Sequence, residues 1–387
     1  MTKTPFAAEP GAFSELPPVR VSSPADVLAV VPHLLGFHPD NSFVVIGAGR
    51  PRERIEVAFR YDLPDPPDAG QAADIAGHAV AVLRQRKLST VIAVGYGPGE
   101  RVTPVADAMA GALRRSGPRL RELMRVENGR YWSYLCANPD CCPADGVRFD
   151  VQANPAAAAM TVAGLVAYPD RAALASTLAP VTGAAATAME QATGRARARE
   201  AGLAGRPPGR APVRATGPLA EAGRQAVTDA LAVYRAGGQL TDDDELAWLS
   251  VVLAHLPVRD DAWSRMDPEH REAHLRLWTD LVRRARRRYL AAPASLLAFT
   301  AWQSGEGALA NIAVDLALAA DPGYSLAHLL RDIMDAGVPP SAARLPMTPE
   351  QVAGSYDLPG AAAVPVPPRP AGRGRSGRRG GRQRRGR

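Results

Sequence analysis

Val91-Ile92-Ala93-Val94-Gly95-Tyr96-Gly97-Pro98-Gly99 is the stretch from which this chain is best read. Four consecutive apolar residues fit a strand buried on both faces. The glycines and proline behind them turn the chain toward a helix, expected to open at Thr103-Pro104, where proline suits the first helical turn. Upstream, Phe43-Val44-Val45-Ile46 reads as a second buried strand and 54–61 as an alternating one, with a helix over 72–86. Before them, Ser23 is a good N-cap, Pro24 a good first helical residue, and Val27, Leu28, Val31, Leu34 and Leu35 make an apolar stripe ending at Gly36. Pro32 inside that stripe predicts a kink. Downstream, 121–136 reads as a hairpin around Asn128-Gly129, a favoured two-residue turn. Strands alternating with helices, together with hairpins, predict an α/β domain with a mixed sheet and flanking helices.

Beyond Pro155 the strand pattern ends, and 156–166, 171–178 and 184–199 read as alanine-rich helices. The α/β domain with these trailing helices is assigned to 21–194, and residues 1–20 to a disordered N-terminus. The stretch 195–214, dense in Arg, Gly and Pro around Pro207-Pro208-Gly209, reads as a linker. An all-helical domain follows over 215–344. Its apolar stripes are Val227, Leu231 and Tyr234, then Leu246, Leu249, Leu253 and Leu256, then Leu275, Trp278, Val282, Ala285 and Tyr289, with further helices near 294–303, 306–320 and 325–335. Residues 345–387 lose periodicity and read as a disordered Arg/Gly-rich C-terminal tail, basic from Arg369.

At 387 residues the chain can bury sizeable cores. The net charge of +7 is misleading as a global figure, because nine arginines and no acid lie between 369 and 387. Without them the remainder carries two net negative charges, which is no signature of a nucleic-acid-binding body. Only Lys3 and Lys87 are lysines among the 46 basic residues, so arginine abundance follows coding bias as well as chemistry. No apolar run approaches a membrane span and the first residues lack a signal-peptide pattern, so a cytoplasmic protein is expected. Three cysteines suit a reducing compartment.

Three stretches together carry a resemblance. They are Val31-Pro-His-Leu-Leu-Gly-Phe-His-Pro-Asp-Asn-Ser42, then Gly129-Arg-Tyr-Trp-Ser-Tyr-Leu-Cys136 with Cys141-Cys142-Pro143, and Ala301-Trp-Gln-Ser-Gly-Glu-Gly-Ala308. In this order and spacing the chain resembles the actinobacterial domain-of-unknown-function 4192 family over residues 20 to 340. The resemblance implies a bacterial cytoplasmic protein and assigns no activity.

Several groups are candidates for chemistry. His38 and Asp40 share a helix-to-strand loop and could serve as a base and its orienting partner, although proline, Asp, Asn and Ser are also plain turn formers there. Trp132, Tyr134 and Cys136 fall on one face of the hairpin's second strand, where an aromatic pair could floor a ligand pocket or simply be core. Gly95 and Gly97 stand where open α/β sheets bind ligands, or make an ordinary strand-to-helix turn. Trp302 and Glu306 join two helices; Glu306 could bind a cation or act as an acid, or sit there for the helix dipole. Cys136, Cys141 and Cys142 could be buried small hydrophobes, a redox pair, or zinc ligands. Against zinc, a fourth ligand is missing and adjacent Cys141-Cys142 should not both face one ion, so no cofactor is predicted. Arg373, Arg375, Arg378, Arg379, Arg382, Arg384, Arg385 and Arg387 form a cationic tail expected to hold polyanions without reading sequence.

No constellation is complete enough to assign a reaction, so whether the protein is an enzyme stays open. The reading favoured is a small-ligand-binding or protein-interaction protein without membrane association. One alternative is an enzyme with a site where the His38–Asp40 loop, the Trp132–Cys136 strand and the Trp302–Gly307 turn meet. The other is a nucleic-acid-associated protein acting through its tail.

Overall fold

The computed structural model describes residues 21–50, 53–205, 217–342 and 347–357. Helix α1 (Pro24–Leu35) opens on a reciprocal cap: the Asp26 N–H donates to Ser23 Oγ at 3.2 Å, and the Ser23 N–H donates to Asp26 Oδ2 at 3.0 Å. It runs through Pro32 and stops at Gly36, whose φ of 79° only glycine adopts freely.

Next come β1 (Ser42–Gly49), β2 (Arg54–Asp62), α2 (Ala69–Gln85), β3 (Thr90–Tyr96), α3 (Gly99–Ser116), β4 (Arg119–Glu127), β5 (Arg130–Ser133) and β6 (Val147–Arg148). The strands form one mixed sheet in the order β2-β1-β3-β4-β5-β6. β1 is antiparallel to both neighbours and buried along its whole length, which explains its unbroken apolar sequence. β3 and β4 are parallel, joined by α3 as a crossover. β4 and β5 form the expected hairpin, with Asn128 (φ 49°) and Gly129 (φ 71°) as the two turn residues between Glu127 and Arg130.

Two expectations shift here. α3 opens at Gly99, not at Thr103-Pro104, because Pro98 itself stands at the N-cap and the chain enters the helix straight from the glycine turn. β5 ends at Ser133, so Tyr134 and Cys136 lie beyond the strand; the short partner β6 pairs with only Arg130 and Tyr131.

All later regular elements are helical: α4 (Pro155–Val162), α5 (Arg171–Ser176), α6 (Gly183–Leu203), α7 (Pro218–Arg235), α8 (Asp243–Val252), α9 (Leu256–Ser264), α10 (Arg271–Arg284), α11 (Ala291–Gln303), α12 (Gly307–Ala320), α13 (Ser325–Asp335) and α14 (Pro349–Asp357). α11 and α12 pack as a hairpin through the Ser304-Gly305 turn, with α10 and α13 against them.

The boundaries of the helical part need correction. Residues 195–203, read as the start of a linker, are the last turns of α6 and pack against α8. Ala196 is buried there, Arg195 pairs with Asp244 at 2.7 Å, and the Arg199 guanidinium lies 4.1 Å from the Trp248 ring centroid. Ala, Arg and Glu are good helix formers, which outweighs the scattered glycines.

Similarly, 349–357 is helix α14, not tail: it packs on α9 with Val352 buried and Tyr356 hydrogen-bonded to Asp260. The rest of the supposed linker (206–214), the N-terminal 1–20 and the arginines from 369 lie outside the described residues.

The two parts are bonded together and share one continuous apolar cluster. The Tyr61 hydroxyl donates to His78 Nδ1 at 2.6 Å, and His78 Nε2 donates to the Asp335 carbonyl at 2.7 Å, which sets the ring's tautomer. Arg171 reaches Asp315 at 2.9 Å, and the Val181 N–H donates to the Arg283 carbonyl at 2.8 Å. No helix among the described residues is long and apolar enough to cross a membrane.

Candidate functional site

A cleft of about 340 Å³ opens between α5, with the segment leading into it, and the facing sides of α10 and α12. Tyr168, Leu174, Leu275 and Leu309 give it apolar walls; Gln239, Arg276, Asp280 and Glu306 supply polar ones. The reason for this lining lies in α10. Its buried face is Ala273, His274, Leu277, Trp278, Leu281 and Val282; of the expected stripe Trp278 and Val282 are buried here and Tyr289 just beyond the helix, while Leu275 and Ala285 are only partly buried. The neighbouring face, with Leu275, Arg276, Thr279 and Asp280, lines the cleft.

The polar groups differ in how far they are already committed. Asp280 Oδ2 accepts from the Tyr234 hydroxyl at 2.6 Å and from Gln239 Nε2 at 2.8 Å. Burial, and then this bond, hold the Tyr234 phenol above its ordinary range. Arg276 Nη2 donates to the Gly238 carbonyl at 2.7 Å, and its guanidinium lies 5.6 Å from the Tyr234 ring centroid. Glu306 is different. Its backbone N–H closes the turn onto the Ala301 carbonyl at 2.8 Å, and Gly305 (φ 80°) before it allows the reversal. Its carboxyl has no hydrogen-bond or ion-pair partner among the described residues. The residue is exposed at the cleft, yet the protein packed around the carboxyl partly desolvates it and raises its pKa from 4.5 to about 7.

The other sequence candidates fall out as follows. His38 is held by its backbone, donating to the Tyr168 carbonyl at 2.9 Å; its exposed imidazole is pushed below its ordinary value by partial desolvation and then by His33. The Asp40 carboxylate instead accepts from Asn41 Nδ2 at 2.8 Å, so the base-and-orienter pair is not formed. The loop does approach the cleft, because Phe37 bridges to Tyr168, but the imidazole is not part of its wall. Trp302 is 1% exposed, so it is core packed against Phe299 and not a ligand contact. Asn311, one turn beyond Glu306, is buried and bonded to the Gly307 carbonyl and to Arg331.

Gly95 and Gly97 make a strand-to-helix turn. A Cβ at Gly95 would sit 2.2 Å from Val102 Cγ1, so this glycine is what lets α3 approach the sheet. The Trp132 indole donates to the Ala144 carbonyl at 3.0 Å with Arg125 stacked 3.8 Å over its ring, and Tyr134 bonds Thr103 at 2.8 Å. Both aromatics are thus engaged in holding the sheet edge, and neither lines the Glu306 cleft. The arginines that end and follow α10 are tied within the chain as well: Arg284 to Asp243 at 3.3 Å, Arg286 to Glu190 at 2.5 Å and Arg287 to the Ala319 carbonyl at 2.8 Å.

The cysteines overturn one expectation. Cys136, Cys141 and Cys142 are free and partly or fully exposed, and their three sulfurs lie within 4.8 Å of one another. Adjacent Cys141 and Cys142 do turn to one point, because the chain coils there: both of their N–H groups donate to the Asn138 carbonyl, at 3.2 and 2.8 Å. Their exposure also sets aside the reading of buried small hydrophobes.

Sequence reasoning found Glu306 but missed Tyr168, Arg276 and Asp280. Arg276 and Asp280 stand one turn apart on one helix, a pattern shared by any solvated helix face.

A family model described as "Domain of unknown function (DUF4192)" matches residues 24–341. No curated protein and no solved structure matches the chain.

Proposed function

The chain belongs to the DUF4192 family, and from that premise we propose that it is a small-ligand-binding protein whose cleft takes an amine-bearing molecule. The observation that carries this reading is the unpartnered Glu306 carboxyl in a cleft of ligand size. A desolvated carboxyl at neutral pH is held partly protonated for want of a counter-charge, and an ammonium or guanidinium group supplies one. Asp280 adds a second negative charge, and Arg276 offers donors to an acceptor at the ligand's other end. Catalysis is the weaker reading of the same geometry. A carboxyl titrating near 7 suits acid–base work, but Asp280 is already bound by Tyr234 and Gln239, so the cleft offers one such group and not an acid and base pair. Three free cysteines support a reducing, cytoplasmic setting for this binding.

The test is a thermal-shift panel of small primary amines, amino acids and guanidines beside matched neutral amides. The amines stabilise the wild type, and their apparent affinity rises about tenfold per pH unit up to about pH 7 and levels off above it, since only ionised Glu306 binds the cation. Glu306→Gln abolishes both the shift and its pH dependence. Equal shifts from the amides, or a full response in Glu306→Gln, would refute the reading.

A further inference from the structure

We propose that Cys136, Cys141 and Cys142 form a three-thiolate site for a thiophilic metal ion, with zinc as the ion the site suits. This site is independent of the Glu306 cleft and lies on the far edge of the sheet, in the loop between β5 and β6.

Three observations carry it. The first is convergence: three sulfurs within 4.8 Å of one another need only small side-chain rotations to reach the separation of about 3.8 Å that a tetrahedral zinc imposes on its thiolates. The second is the backbone beneath them. Asn138 accepts from the Cys141 and Cys142 N–H groups through its carbonyl, and from the Asp140 N–H at 3.0 Å through Oδ1, so one residue coils the segment that presents two of the ligands. The third is that this loop has no apolar core of its own. Leu135 is 49% exposed and Cys141 is exposed, while the loop's far end is fastened by polar contacts: Arg130 Nη1 to Asp145 Oδ2 at 2.9 Å and to the Gly146 carbonyl at 2.7 Å, and the Trp132 indole to Ala144. In a small loop without a core, a bound metal supplies a cross-link that packing does not.

The donor set selects the ion. Thiolates are soft ligands that favour zinc or copper(I) over calcium or magnesium. A disulfide would use two of the sulfurs and strand the third. Among the described residues no fourth histidine, cysteine or carboxylate joins the three; Glu122 accepts from the Ser133 hydroxyl and the Leu123 N–H through Oε1 and is not one of the converging ligands. The fourth position of a tetrahedral zinc is therefore left for water or an exogenous ligand. On binding, each thiol gives its proton to solvent and its sulfur lone pair to the metal, with no change of oxidation state.

The experiment uses the full chain purified under reducing, anaerobic conditions. Elemental analysis is expected to find a single zinc per chain, and titration of the metal-free protein with Co²⁺ to give a sulfur-to-cobalt charge-transfer band with intense tetrahedral d–d bands. Cys136→Ser, Cys141→Ser and Cys142→Ser each bring bound zinc to background with the far-UV circular dichroism unchanged. Glu306→Gln keeps its zinc, so failure of the cleft and failure of this site are told apart. The cobalt spectrum on the wild-type chain serves even if a variant misfolds. The proposal is overturned if the reduced chain gives no cobalt–thiolate band, if zinc persists in the triple serine variant, or if only copper(I) is retained.

Discussion

His274 lies wholly inside the helical part, and neither ring nitrogen has a hydrogen bond. Its pKa is lowered from 6.5 to about 4, first by burial and then by Arg235; Asp267, 4.0 Å away, opposes this without prevailing, so the ring is neutral and the two do not form an ion pair. The unfolded chain protonates this histidine near 6.5 and the folded one only near 4, so the neutral ring's contribution is present above pH 6.5 and lost as pH falls toward 4. His274→Leu removes that loss, which amounts to about 3 kcal/mol at the acid end. At neutral pH the variant is at least as stable as the wild type, because two unbonded buried nitrogens disappear. Urea melts of both proteins across this pH range check it, and parallel pH curves would contradict it. None of this was legible in the sequence, where His274 is one histidine among several on an amphipathic helix. Glu306 was legible as a candidate because it stands between glycines in a helix–helix turn, but its missing partner could be seen only once the walls were in place.

Among the elements, the strands and their turns were read well from local pattern. The buried β1 and β3 runs and the Asn128-Gly129 turn stand as expected, since a strand's period and a turn's φ requirement act between near neighbours; β2 forms where it was read, but Val57, Ala58 and Phe59 are buried in succession instead of alternating. Gly95 gives this scale its test. Its place in β3 faces Val102 on α3, a stiff β-branched residue that is completely buried. Gly95→Ala therefore forces helix and sheet apart and lowers stability by about 1–3 kcal/mol. Chemical denaturation measures this, and an unchanged midpoint would show that the contact relaxes freely. The misread elements share a different cause. The end of α6 and the whole of α14 are short or compositionally plain, and they are helical because α8 and α9 offer surfaces to pack on. Tertiary burial of one face, more than propensity, stabilises such helices.

For the molecule as a whole, the buried residues of sheet and helices run into one another without a break, through contacts such as His78 with Asp335 and Arg171 with Asp315. Charge is distributed quite differently, since the arginines from 369 onward outweigh the entire net charge of +7. We propose that this segment holds polyanions by counterion release. Deleting 368–387 then removes most affinity for single-stranded RNA at low salt, and the salt dependence of what remains becomes shallow. A truncated chain that binds RNA as tightly as the full one, in a salt-titrated polarisation assay, would place the contact on the folded body.

By itself the sequence determined the α/β start, the helical continuation, the strand-turn punctuation, the isolated basic end and the family resemblance, because each is written in neighbouring residues or in plain composition. Only the tertiary structure decided that Tyr168, Arg276 and Glu306, more than a hundred residues apart at the extremes, wall one cleft, and that Cys141 and Cys142 turn their sulfurs to the same point as Cys136. The physical reason is that a site is made by relative orientation. The rotation of α10 about its own axis and the coil around Asn138 are set by what packs and bonds against them, and a linear pattern carries neither.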